Sequence, residues 1–325
     1  LGAANGLDIL GLNYASSRYD EDAAKYPDRM MVGSETMVAD LPYNWERVKK
    51  HPQLVGDFVW SAWDYLGEAC IGDWTYHSYK GLPLLAGQGM IDITGKPLAS
   101  MYFMQIVWGL RKKPFIGVRP VNHANEAPST GAWQFTNAID SWSWQGYEGT
   151  KATVEVYADA ASVRLKLNDS EVGTKPVKKY KAYFKLPYQP GTLTAEALDE
   201  QGKVISSHSL TTAGPETVLT GKPDKNVLRA NNQDLCYLPI EFTDKAGNLK
   251  PYVEQKVEIT VVGAATLAGF GSALCKTDEV FDKNYHNSYR GRALAVLRAG
   301  NTPGKAFVTV HSTGVEPVTV EVEVK

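Results

Sequence analysis

The feature that most constrains this chain is a change of hydrophobic period near residue 114. Before it, apolar runs alternate with stretches of helical spacing. Leu7–Leu12, Met30–Glu35 and Leu54–Trp60 read as strands, and residues 15–29 as a loop or short helix. Leu41–His51 reads as a helix that tolerates Pro42 in its first turn. Pro97–Leu110 reads as a second, with Leu98, Met101, Tyr102, Gln105, Ile106 and Gly109 near one face. Such alternation predicts parallel strands with helices outside, the arrangement of a (β/α) barrel, although three strands are fewer than the eight a barrel needs. A long loop rich in Gly, Tyr and Trp runs from Asp64 to Gln88.

After residue 114 the helical period disappears. Period-two runs follow at Thr153–Ala158, Ser162–Leu167, Tyr180–Tyr188 and Thr192–Leu198, separated by Asn168-Asp169, Pro190-Gly191 and Glu200-Gln201-Gly202. Beyond Gly214-Pro215 come Leu235–Thr243, Gln255–Val262, Arg292–Leu297, Ala306–Ser312 and Val318–Val324, with Asp244–Asn248 reading as a hairpin turn. Two antiparallel sandwiches of roughly 100 residues each fit this spacing. The chain thus divides into a partial α/β domain at 1–113 and all-β domains at 114–214 and 215–325.

Composition excludes several classes. Net charge is −2 with no basic stripe, which argues against a nucleic-acid partner. No apolar run reaches the roughly 20 residues of a membrane span. The start, Leu1-Gly2-Ala3-Ala4-Asn5-Gly6, has no initiator Met, basic region or apolar core of a secretory leader, and reads as the middle of a longer protein. Cys70, Cys236 and Cys275 match no metal spacing; three buried thiols or one Cys236–Cys275 disulfide are the two readings.

The chemistry gathers at Met31–Thr36. A strand ending in Gly-Ser places Glu35 where the strand should stop, and a carboxylate fixed on a strand end suits a nucleophile better than one on a loop. Trp60, Trp63, Trp74 and Tyr14 are aromatic platforms for a pyranose face. This pattern suggests glycoside hydrolysis, which usually employs two carboxyl groups.

The ordered motifs Leu-Gly-Leu-Asn-Tyr, Gly-Ser-Glu-Thr, Gly-Asp-Phe-Val-Trp-Ser-Ala-Trp-Asp-Tyr-Leu-Gly-Glu and Gly-Gln-Gly-Met-Ile-Asp-Ile-Thr-Gly-Lys-Pro, over residues 7–110, resemble the end of a family-two glycoside hydrolase barrel, within it most like bacterial β-galactosidases. The resemblance implies strands six to eight of a (β/α)8 TIM barrel followed by two immunoglobulin-like β-sandwiches. It implies Glu35 as catalytic nucleophile and Tyr14 as the residue that orients it. Asn13, Trp60, Trp63, Glu68 and Gln88 would bind substrate. The Asn-x-Lys with which β-glucuronidases hold a carboxylate is absent at Ala86-Gly87-Gln88, so a neutral sugar is implied, galactose first, mannose or another hexose as the alternative. The family's acid/base Glu, on strand four, would precede residue 1, leaving these residues inactive alone. Partners are then a β-galactoside and the N-terminal part of the same protein. Mg or Na is a family option without assignable ligands here, and a secreted or periplasmic location follows family habit.

Other readings stand beside these. The chain could serve only as a glycan-binding or structural β-sandwich module. Trp142 and Trp144 are glycan contacts or core, and the loop Phe281–Arg290 is a carbohydrate contact or inter-domain packing. Asp64 faces the pocket or braces a strand end; His77 and His286 are solvated. Residues 1–112 should be ordered only against another chain, a cleaved fragment or the sandwiches, because an open parallel edge is a pairing hazard.

Overall fold

The computed structural model describes Ala4 and residues 6–325, so the reading of Leu1–Gly6 lies outside the described residues apart from Ala4 and Gly6. The first unit is a three-stranded parallel sheet in the order β1 (Ile9–Asn13), β2 (Met30–Thr36), β3 (Leu54–Val59). Helix α1 (Tyr19–Lys25) joins β1 to β2, and α2 (Leu41–Lys50) joins β2 to β3. One face of the sheet is closed by Leu12, Met31 and Leu54 against Tyr19 and Ala23 of α1. Gly33 is required by this packing: a Cβ there would meet Asp57 Oδ1 at 2.0 Å and the Tyr19 hydroxyl at 2.2 Å.

Helix α3 (Ala99–Val107) is shorter than its apolar stretch and turned differently from its reading. Its buried face is Ala99, Phe103, Ile106 and Val107, in a core shared with Phe115 and Tyr157. Apolar residues occupy most of its circumference, so spacing alone does not choose the face. Tyr102 sits at the rim, stacked on Phe115 with ring centroids 4.5 Å apart.

The segment between β3 and α3 is not a plain loop. It carries β4 (Trp74–Tyr76), paired with Pro128–Thr130, and β5 (Leu82–Pro83), paired with Lys276–Thr277. Short ladders of this kind supply partners for backbone groups that a buried loop would leave unpaired.

The rest is β-sandwich. Lys181–Pro187, Lys151–Tyr157 and Phe115–Val118 form one sheet, and Ser170–Pro176, Ser162–Leu167, Thr192–Leu198 and Val204–Thr211 the facing one. Between them lie Trp142, Val154, Leu165, Phe184 and Tyr188. Trp142 and Trp144 are core residues, fully enclosed, with Trp142 Nε1 donating to the Gln189 carbonyl at 3.0 Å. A second pair of sheets, four- and five-stranded, spans Val218–Gly221 to Val315–Val324 around Phe242, Ile259, Phe270, Leu297 and Val308.

The Asp244–Asn248 turn forms and closes a short antiparallel pairing, Thr243 with Leu249, in which the Lys250 amide donates to the Phe242 carbonyl at 2.8 Å. Leu235–Thr243 pairs in the four-stranded sheet and Lys256–Gly263 in the five-stranded one, so the turn starts a crossing between sheets. Asp244 holds it, accepting from the amides of Ala246 (2.9 Å), Asn248 (2.8 Å) and, from the preceding linker, Gly214 (2.7 Å). Within Phe281–Arg290, His286 is buried rather than solvated and stacks on Phe281. Tyr289 meets Tyr79 edge-on at 5.8 Å, so that end of the loop packs against the first unit.

Candidate active site

Parallel pairing brings three strand ends together. Asn13 lies opposite Glu35, after a register shift between Leu12 and Asn13, and the Tyr14 amide donates to the Glu35 carbonyl at 2.8 Å. The Trp60 amide donates to the Thr36 carbonyl at 2.9 Å, and the peptide joining Trp60 to Ser61 is cis. Asn13, Tyr14, Glu35 and Trp60 therefore share the C-terminal edge of the sheet. Asp57 braces this edge from the helix side, accepting from Tyr19 (3.0 Å), Thr36 (3.0 Å) and Asn44 (2.9 Å). Burial pushes the Asp57 carboxyl above its ordinary range, and those three hydrogen bonds only partly offset the rise.

Tyr14 is the best-defined member of the group. Its φ is 47°, a left-handed conformation that costs a bulky residue energy unless its surroundings enforce it. Trp133 Nε1 donates to its hydroxyl at 2.9 Å, with the two rings edge-on at 6.0 Å. Burial lifts the phenol's pKa, the Trp133 hydrogen bond opposes this, and the Glu35 and Glu68 carboxylates raise it further. A phenol kept protonated beside a carboxylate is a hydrogen-bond donor to it. Sequence reasoning passed over Trp133, which lies beyond the strand–helix region. Its amide donates to the Ile71 carbonyl at 3.0 Å, which ties it to the long segment after β3.

Trp60 and Gln88 form a second pair. Trp60 Nε1 can only donate, which orients the Gln88 amide. Its oxygen accepts from Trp60 Nε1 and the Tyr65 hydroxyl, both at 2.9 Å, and its nitrogen donates to the Ala86 carbonyl at 3.1 Å. Gln88 is 6% exposed, so it sits behind Trp60 and Tyr65 and locks their rings, which meet edge-on at 5.9 Å. Glu68 is exposed and lies against the same Tyr65 hydroxyl, whose single proton serves either Glu68 or Gln88.

Trp63 is 55% exposed and Trp74 lies elsewhere, under the Arg119 guanidinium at 4.7 Å. Asp64 is buried and accepts from the Gly87 amide at 2.8 Å, bracing the segment that carries Gln88. Mg or Na would need an oxygen-rich set. Among the described residues the one cluster with metal-ligand spacing is Cys70, Asp73 and Cys275, whose two sulfurs do not suit either ion. Of the two readings of the cysteines, free thiols hold for all three, with Cys236 and Cys275 buried and Cys70 half-buried. The Cys236–Cys275 disulfide does not form: Cys275 faces Cys70, while Cys236 lies in the second sandwich core.

Residues 219–321 match the model of the glycoside hydrolase family 2 C-terminal domain 5, and residues 149–206 match a domain of unknown function, DUF4982. The chain is 24% identical to the β-galactosidase BoGH2A of Bacteroides ovatus over 362 positions, covering 97% of the chain and 39% of that protein. A β-glucuronidase of Formosa agariphila is 28% identical over 185 residues, 56% of this chain and 16% of that protein. Among solved structures, a glycosyl hydrolase family 2 member from Bacteroides cellulosilyticus superposes with a TM-score of 0.87 at 29% identity, covering 98% of this chain and 42% of that one. The chain thus spans about two fifths of the length of the β-galactosidase and of this solved structure. In sequence and in fold the chain is a relative of glycoside hydrolase family 2 proteins, and its residues 219–321 are similar to a C-terminal domain of that family.

Proposed function

We propose that this chain is the C-terminal part of a retaining exo-β-galactosidase, with units at 1–113, 114–214 and 215–325, the last two immunoglobulin-like. The observation that carries the proposal is the pairing of Asn13 with Glu35, beside Tyr14, at the C-terminal ends of parallel strands. Active sites of (β/α) barrels lie at that edge. On this reading β1–β3 are strands six to eight of the barrel. The exposed Ile9, Met30, Val55 and Phe58 are then surfaces for its other strands.

Glu35 attacks the anomeric carbon as the glycosidic bond breaks, forming a glycosyl-enzyme that water later hydrolyses. Tyr14 donates to Glu35 and fixes its orientation. Trp60 stacks on the sugar, Gln88 and Tyr65 hold that ring in place, and Asn13, Trp63 and Glu68 line the pocket. The acid/base belongs to a segment outside these residues, so the 325 residues alone turn over no substrate. A neutral sugar fits Ala86-Gly87-Gln88, which offers no cation to a uronate. The relatives' names include both a β-galactosidase and a β-glucuronidase, so sugar choice is the point to test. Export to the periplasm or medium accompanies this reading and is checked by fractionating the native cells.

The test is to incubate the longer protein with a 2-deoxy-2-fluoro aryl β-galactoside and map the labelled peptide. Label on Glu35 is the expected result; label on another carboxylate overturns the assignment. Parallel assays on aryl galactoside, mannoside and glucuronide settle the sugar, with the glucuronide expected to be the poorest.

A further inference from the structure

Away from Glu35, folding brings together two thiols and a carboxylate. Cys70 Sγ, a carboxylate oxygen of Asp73 and Cys275 Sγ all lie within 4.8 Å of one another. Cys70 and Asp73 come from one turn, in which the Asp73 amide donates to the Cys70 carbonyl at 3.4 Å. Cys275 comes from the last sandwich, immediately before the strand that pairs with β5. The approach is set by backbone: the Leu84 amide donates to the Cys275 carbonyl at 2.9 Å, and the Cys70 amide to the Leu85 carbonyl at 2.8 Å. Cys275 is buried, and Asp73 Oδ2 is enclosed with no hydrogen-bond partner. A desolvated carboxylate oxygen without a donor is costly, and a cation would remove that cost.

We propose that Cys70, Asp73 and Cys275 bind one zinc ion that fastens the segment after β3 to the last sandwich. Two sulfurs and one carboxylate oxygen are a donor set for zinc rather than for magnesium, calcium or sodium. Tetrahedral coordination puts such donors about 3.4–3.8 Å apart, so the side chains need only small rotations. The two thiols form Zn–S bonds and release their protons to solvent. The fourth position opens to a narrow cavity of about 70 Å³, lined also by Asp64 and Arg290. Two thiolates, a carboxylate and Zn²⁺ leave one negative charge, for which Arg290 is the counter-ion. The inference is independent of the sugar chemistry.

The test uses the full 325-residue chain, purified reduced and without chelator, then analysed for metal by mass spectrometry. About one zinc per chain is expected, released by a mercurial thiol reagent. Cobalt added to zinc-depleted protein gives thiolate-to-cobalt absorption bands. Cys70→Ser and Cys275→Ser abolish those bands, and Asp73→Asn weakens cobalt affinity roughly tenfold or more, with circular dichroism confirming the fold of each variant. If a cysteine variant does not fold, the wild-type zinc content and cobalt spectrum decide alone. The inference is overturned by reduced wild type that takes up neither metal, by unchanged zinc in folded Cys275→Ser protein, or by a Cys70–Cys275 disulfide in place of metal.

Discussion

Trp133 Nε1 donates a 2.9 Å hydrogen bond to the Tyr14 hydroxyl across 119 residues of sequence. The phenol that faces Glu35 is thereby held from outside the strand–helix unit that presents it. Tyr14→Phe and Trp133→Phe should each lower the free energy of unfolding by about 0.5–1.5 kcal/mol. The double variant should lose little more than either single one, because both changes remove the same bond. Urea denaturation of the four proteins measures this, and full additivity would refute the coupling.

Asp244 gives an acid-side prediction. Burial alone would push its carboxyl up, but hydrogen bonds from the Asn248 side chain and from the Gly214, Asn248 and Ala246 amides outweigh it and hold it at about 2. A depressed folded pKa means stability that is present above the ordinary carboxylate range and lost as pH falls through about 2. Asp244→Ala should therefore destabilise the chain at pH 7 by about 1–3 kcal/mol and flatten the loss of stability between pH 4 and 2. Thermal denaturation across that range reports both effects.

Lys181 gives a slope of the same sign on the alkaline side. Its Nζ lies 3.9 Å from the Phe135 ring centroid and 4.5 Å from that of Phe103. Burial pushes its pKa down to about 8, against the pull of Glu155. The unfolded chain then holds more protons than the folded one above pH 8, so this group adds stability as pH rises from 8 toward 10. Lys181→Met should raise the melting temperature at pH 7 and remove that rise. Scanning calorimetry between pH 7 and 9.5, below tyrosine titration in the unfolded chain, distinguishes the two proteins.

The three-stranded sheet has β1 and β3 at open edges, and Phe58 on β3 is 67% exposed. The two sandwiches are closed by large apolar cores. Limited proteolysis of the 325-residue chain should cut within residues 6–60 before it cuts between 115 and 325. Mass spectrometry of a digestion time course checks the order, and earlier cleavage in the sandwiches would contradict it.

Period-two alternation located Ser162–Leu167, Thr192–Leu198 and Leu235–Thr243 to the residue, because one face of each is buried in a core. The strand Ser170–Pro176 escaped because nearly all of it faces solvent and carries no alternation. Ala265–Gly271 escaped because Ala and Gly supply little pattern. In the candidate site, Asn13 and Glu35 were legible as strand ends. The use of Gln88 as a brace behind Trp60 was not, since it depends on a segment folding back some 28 residues later. Nor were the Trp133 contact and the Cys70–Cys275 approach, which arise only when separate units meet.

The pairing of Leu82–Pro83 with Lys276–Thr277 bears on how such proteins can be recombined. A chain drawn as beads suggests that the final sandwich could be exchanged for another as a cassette. Here its strand completes a ladder begun nearly 200 residues earlier, and Gly81 is packed so closely on it that a Cβ would meet the Thr277 carbonyl carbon at 2.5 Å. A chimaera cut at the linker would carry a seam through this ladder. A chimaera that keeps this ladder intact takes residues 64–88 and the C-terminal sandwich from the same parent.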